Sequence, residues 1–240
     1  ALGSFTLNGA LNNFGTMNLS SLGEFIINGT FSTSSSATNV FPSSVVVGST
    51  GTVTHPAGQR LDLTFVDLTI NSGGKINADG LGFGLGAGPG AGTSYQVGAT
   101  HGGQGSGNSA ATYGSVTEPI TLGSGGGWSS SGSGGGAVKL NVSGTLTNNG
   151  SISANGAYSY YSSGAGGSVW VNFTSPTSSW VGSGSITANA PSSSGSSNTG
   201  YSGGGRVSVD GYNTDTHSGF TTAAGYGASP GTVFTRSRNN

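Results

Sequence analysis

The chain has no cysteine, which excludes a disulfide framework, a thiol nucleophile and a thiolate metal site. It has few charges: 6 Lys and Arg against 7 Asp and Glu, or 5% of 240 residues, for a net charge of −1. Nucleic acid and anionic membrane both require clustered Lys and Arg, so neither is expected as a partner. No apolar run approaches the roughly 20 residues that span a bilayer, so no membrane span is expected. No His-x-His or His-x-x-x-His spacing occurs, and no Lys-Ser/Thr closes the Gly82-Phe-Gly-Leu-Gly-Ala-Gly88 run into a phosphate loop. The Gly-Gly-x-Gly-x-Asp calcium repeat is missing as well. No cofactor and no metal is therefore expected.

Glycine is abundant, at 49 residues. A glycine-rich, charge-poor chain can be disordered, but here Val, Ile, Leu and Phe alternate at a fixed period, which disordered segments lack. The unit from Val138 to Gly156 holds two short alternating runs, Val138/Leu140/Val142 and Leu146 with Ile152, broken by glycine or paired asparagine. Such a unit cannot bury its apolar side alone, whereas stacked copies can. Gly-x-apolar steps recur at Gly9, Gly29, Gly51 and Gly74, then at Gly150, Gly184 and Gly219, the last three 34 and 35 residues apart.

The pattern predicts an all-β chain, a right-handed single-stranded parallel β-helix with long Gly/Ser-rich loop insertions, right-handed because parallel crossovers almost always are. One solenoid domain is expected over 1–240: compact coils over 1–80, a Gly-rich excursion over 81–136, and longer coils with Ser/Tyr/Gly loops over 137–240. Starts at Phe5, Phe25, Val45 and Val66 suggest columns of stacked side chains in the compact coils. The expected stacked core is Phe5, Leu7, Phe25, Ile27, Val45, Val47, Leu68, Ile76, Val138, Leu140, Ile152, Val169, Ile186 and Val207. Asn8-Gly9, Asn28-Gly29 and Ser72-Gly73-Gly74 are expected at corners with positive φ. In the excursion, Thr117–Leu122 reads as the one strand-like piece, and alternating glycine is the pattern that lets backbones approach closely.

Gly166-Gly-Ser-Val-Trp-Val171, Gly182-Ser-Gly-Ser-Ile-Thr-Ala-Asn189, Gly203-Gly-Gly-Arg-Val-Ser-Val209 and the terminal Gly231-Thr-Val233 resemble the glycine-rich parallel β-helix segments of large secreted and surface proteins of bacteria and archaea. The resemblance spans roughly residues 64–235 and implies an exported, adhesin-like or structural role, with no catalytic residues to carry over. A start at Ala1 fits removal of a signal peptide, so an extracellular or cell-surface location is expected.

Candidate chemistry is sparse. A polysaccharide lyase or hydrolase needs converging carboxylates and a basic residue. Asp62 and Asp67 with Arg60 form the tightest cluster, but their odd spacing puts the two acids on opposite faces of an unbroken strand. His55, His101 and His217 are scattered. Tyr158, Tyr160, Tyr161 and Tyr201, with Trp128 and Trp180, are candidate glycan or subunit contacts, the alternative being rings packed over the glycine face. Asn18, Asn28, Asn141 and Asn172 head Asn-x-Ser/Thr sequons and are candidate N-glycosylation sites. The expected role is non-enzymatic: a subunit partnered by copies of itself in a head-to-tail filament. A glycan-binding or adhesin stalk module is the alternative, and a lyase or hydrolase ranks third.

Overall fold

The structure, a computed structural model, describes residues 3–94, 96–127, 131–191 and 200–238. Among them are strands and irregular segments but no helix, and every strand pairing is parallel. The first sheet stacks Ser4–Leu7, Glu24–Ile27, Ser44–Val47, Asp67–Ile70, Thr145–Asn148, Ser179–Gly182 and Thr214–His217 in chain order. The second stacks Ala10–Asn13, Thr30–Thr33, Thr52–Thr54, Lys75–Asn77, Ser151–Ser153, Ser185–Thr187 and Thr221–Thr222. The third stacks Arg60–Phe65, Ala137–Val142, Ser168–Phe173, Arg206–Tyr212 and Thr232–Ser237, and Thr16–Asn18 pairs with Thr38–Val40 in the first two coils. Successive strands of each sheet lie one circuit apart in sequence, the arrangement of a β-solenoid with seven coils.

The apolar positions of successive coils lie over one another. Phe5, Phe25, Val45, Leu68, Leu146 and Trp180 form one column of the first sheet. The Gly-x-apolar steps form a second column: Leu11, Phe31, Val53, Ile76, Ile152, Ile186 and Thr221. Leu61, Val138, Val169, Val207 and Val233 form a third. The fourth start in the first column is Leu68, not Val66. Val66 is an exposed corner residue, because the chain turns there between Phe65 and Asp67. Phe25 stacks on Phe5 with ring centroids 5.4 Å apart, and Phe41 stacks on Phe65 at 5.0 Å.

The excursion does not separate two sets of coils. It joins the second-sheet strand Lys75–Asn77 to the third-sheet strand Ala137–Val142 within the fourth coil. The later coils insert shorter loops at the same place, between the second- and third-sheet strands, and the described residues of these loops hydrogen-bond to one another, as Gly156 N to Asn189 O, Ala190 N to Ala224 O and Gly204 N to Ser229 O. Thr117–Leu122 is not a strand. It crosses the outer face of the third sheet as a strap, pinned where Ser168 Oγ donates to Thr121 O at 2.6 Å and Ser208 Oγ donates to Thr117 O at 2.7 Å.

The glycine runs bind one another by backbone alone. Gly132 N and Gly135 N donate to Ser162 O and Ala165 O; Gly126 N and Gly123 N donate to Gly132 O and Gly135 O; Gly164 N and Gly167 N donate to Ala157 O and Ala154 O. In each pair the donors, and likewise the acceptors, sit three residues apart, the period of a polyproline II helix. A Cβ on Gly134, Gly135, Gly164 or Gly167 would overlap a neighbouring carbonyl oxygen, yet none of these has φ in the left-handed region. Lack of room, not φ, demands glycine here. The same correction applies at the compact corners: Gly73 has φ +90, but Gly9 and Gly29 have no positive φ, and Gly29 is required because a Cβ would meet Gly9 O.

Candidate functional site

Six of the seven acids are engaged in structural contacts. Asp62 faces Lys139 Nζ at 3.7 Å on the third sheet, while Asp67 begins a first-sheet strand and accepts from Thr145 N at 2.7 Å. Both carboxylates point outward, because the corner at Val66 interrupts the alternation that would have set them on opposite faces. They lie on different sheets and do not converge. Asp79 accepts from Asn155 N at 2.6 Å, Asp215 from His217 N at 2.8 Å, and Glu24 from Ser44 Oγ at 3.1 Å. Asp210 binds Arg236 through both oxygens, each at 2.7 Å. Glu118 stands exposed on the strap. No group of three His, Cys, Asp or Glu side chains able to hold a metal occurs among the described residues.

A buried polar cluster under the strap carries no signal in the sequence. His101 is fully buried, with Nδ1 2.7 Å from Gly166 O and Nε2 2.8 Å from Thr121 Oγ1. A carbonyl can only accept, so Nδ1 carries the proton and Nε2 accepts from the threonine. Burial, opposed by the bond to Gly166, lowers the His101 pKa to about 4. Tyr113 packs on the imidazole at 4.6 Å and donates to Leu122 O, and burial pushes its phenol up to about 12. Arg206, also buried, donates from Nε to Tyr113 O at 2.8 Å and from Nη1 to Thr232 Oγ1 at 3.1 Å. Its charge pairs with no carboxylate among the described residues. The cluster clamps the excursion to the third sheet.

The aromatic candidates divide. Tyr158 and Tyr160 are 57% and 54% exposed, and Tyr161, also exposed, meets Tyr160 edge-to-face at 5.0 Å. Tyr201 is half-buried: its ring fills the space beside Gly227 and lies 6.2 Å from Tyr226. Trp180 is not a surface ring. It is buried in the first column, 4.3 Å from His217 and 5.8 Å from Tyr212. Trp128 lies outside the described residues. Among the sequon asparagines, Asn18 is exposed, Asn28 donates to Asn8 Oδ1 at 3.3 Å, and Asn172 donates to Asn141 Oδ1 at 3.0 Å along the third sheet. Asn149, exposed at a corner, heads a further Asn-Gly-Ser triplet.

The two end coils leave core positions uncovered. Phe5 heads its column yet is 40% exposed, and Val233 ends its column at 46% exposed. Within residues 3–238 the strands Ser4–Leu7 and Ala10–Asn13 at one end, and Thr214–His217, Thr221–Thr222 and Thr232–Ser237 at the other, have a partner on one side only. No ionisable side chain precedes Glu24. Compared with protein-family models, curated proteins and solved structures, the chain matches none.

Proposed function

We propose that this chain is a non-enzymatic extracellular structural protein, a right-handed β-solenoid that stacks head to tail on copies of itself into a surface filament. The observation that supports the reading is that, within residues 3–238, the columns of stacked side chains run through to the outermost coils, where Phe5 and Val233 are 40% and 46% exposed and paired on one side. Parallel edges of this kind are templates for pairing, and proteins that stay monomeric blunt them with charge, proline or a cap. Here the first coil carries no ionisable side chain. In the last coil Asp215, which follows Trp180 at the end of the Phe5 column, accepts from His217 N, while Arg236 and Arg238 turn back onto the sixth and fifth coils, binding Asp210 and the carbonyls of Gly211 and Phe173. The four-residue strands Thr214–His217 and Ser4–Leu7 match in length, as a continued ladder requires. The contact is heterologous and non-closing, so it propagates.

Electron microscopy and sedimentation of the purified chain test this. Filaments are expected from the wild type, and dispersed, folded subunits from Phe5→Lys or Val233→Lys, each of which puts a charge on a core-facing end position. A wild type that stays monomeric at high concentration rejects the reading.

A second reading rests on Tyr158, Tyr160 and Tyr161, whose rings stand out from the loop of the fifth coil. Rings so placed stack on sugars. A glycan-binding stalk module predicts carbohydrate affinity that is lost in Tyr158→Ala with Tyr160→Ala while assembly persists.

A further inference from the structure

Few of the chain's charged groups lack an internal partner, and one of them lines a pocket. Lys139 and Arg236 face carboxylates, Arg206 and Arg238 donate to backbone carbonyls, and Lys75 lies exposed in open solvent. Arg60 remains. Its backbone opens the third-sheet strand Arg60–Phe65 and accepts from Ser35 N, but its guanidinium pairs with no carboxylate among the described residues. Its Nε is buried and reaches no acceptor there. Because Nε is closed to solvent as well as unpaired, a ligand meets the guanidinium only from the pocket that Arg60 lines.

The surroundings define what that is. Arg60 lines an open pocket of about 260 Å³ with Ser35, Ser36, Gly58, Gln59, Ile120 and Leu122. Three chemistries meet in it. The guanidinium fork matches a carboxylate in plane and spacing. The hydroxyls of Ser35 and Ser36 and the amide of Gln59 both donate and accept, as sugar hydroxyls require, although Ser36 Oγ already shares a hydrogen with Ser34 Oγ at 2.9 Å. Ile120 and Leu122 give an apolar wall from the strap, whose position is fixed by the Ser168 bond to Thr121. The volume lies just under the roughly 300 Å³ at which drug-sized pockets begin, so it holds a single small ring.

From this we infer that the Arg60 pocket binds one uronic acid residue of an acidic polysaccharide: carboxylate on Arg60, ring hydroxyls toward Ser35, Ser36 and Gln59, the C–H face of the pyranose on Ile120 and Leu122. Sulfate and phosphate meet the guanidinium but leave the apolar wall bare; neutral sugars fill the wall but leave the guanidinium without a counter-charge. The site shares no lining residue with Tyr158 and Tyr160 and depends on neither reading above.

Calorimetric titration of the full chain tests it with galacturonate and glucuronate trisaccharides, the galacturonate methyl ester as a neutral isostere, and inorganic sulfate. Saturable binding of either acid trisaccharide at low millimolar concentration is expected, weaker by about tenfold or more for the methyl ester and for sulfate. Arg60→Gln should lose about tenfold or more, and Arg60→Lys, which keeps the charge without the fork, should fall between, both at unchanged melting temperature. Equal binding of the ester or of sulfate, wild-type affinity in Arg60→Gln, or no heat with the acids up to about 10 mM would each overturn the assignment.

Discussion

Gly135 and Gly84 differ in one respect that a single methyl group reads out. A Cβ on Gly135 would strike the backbone at Ala154 O, whereas nothing lies within 4 Å of the place a Cβ on Gly84 would take, and neither has positive φ. Gly135→Ala should therefore destabilise by about 3 kcal/mol or more, because backbone cannot step aside as a side chain can. Gly84→Ala should be neutral or stabilising by about 0.5 kcal/mol; denaturant melts of the two variants check the contrast. His101 gives the molecule a pH dependence. Its folded pKa of about 4 lies below the model-peptide value of 6.5, so the folded state disfavours the protonated ring. The contribution is complete above about pH 6.5 and fades as pH falls toward 4, by about 3 kcal/mol in all. His101→Gln should flatten the melting-temperature profile over that interval relative to wild type. At this scale the sequence was a poor guide: the partners of His101 are a backbone carbonyl at Gly166 and a threonine at Thr121, and neither makes a motif. Trp180 reads as a candidate glycan or subunit contact, but strand pairing sets it over Leu146 in the core column.

The elements were legible wherever a column has an apolar signature. The Gly-x-apolar steps aligned from the sequence are the second-sheet column, residue for residue, from Leu11 to Thr221. The excursion was not legible, because a three-residue period of backbone hydrogen bonds between glycine runs leaves no hydrophobic pattern to read. The corners carry a further device. Asp79 Oδ1 takes the N–H of Asn155, Asn155 Oδ1 that of Asn189, and Asn189 Oδ1 that of Ala224, one rung per coil. Asn189→Ala should cost about 1 kcal/mol and speed amide exchange at Ala224 while leaving Asn155 protected. The strap offers a parallel test. Removing both pins in Ser168→Ala with Ser208→Ala should accelerate exchange at residues 113–122 while the third-sheet strands beneath keep their protection, since their ladder does not run through the strap.

At the scale of the whole molecule the account turns on whether the ladder continues from one subunit into the next. Within residues 3–238 the core-facing positions Phe5 and Val233 are exposed, the first coil has no ionisable side chain, and Arg236 and Arg238 of the last coil bond to the coils beneath. Seven strands deep in the first sheet, each subunit should add seven rungs of about 4.8 Å, an axial rise of about 34 Å. Helical reconstruction of filaments of the purified chain by cryo-electron microscopy measures that rise directly. A rise of about 34 Å with an unbroken 4.8 Å meridional spacing is the predicted result; a rise that is not a whole number of rungs, or subunits joined side by side with Phe5 and Val233 still exposed, would contradict it.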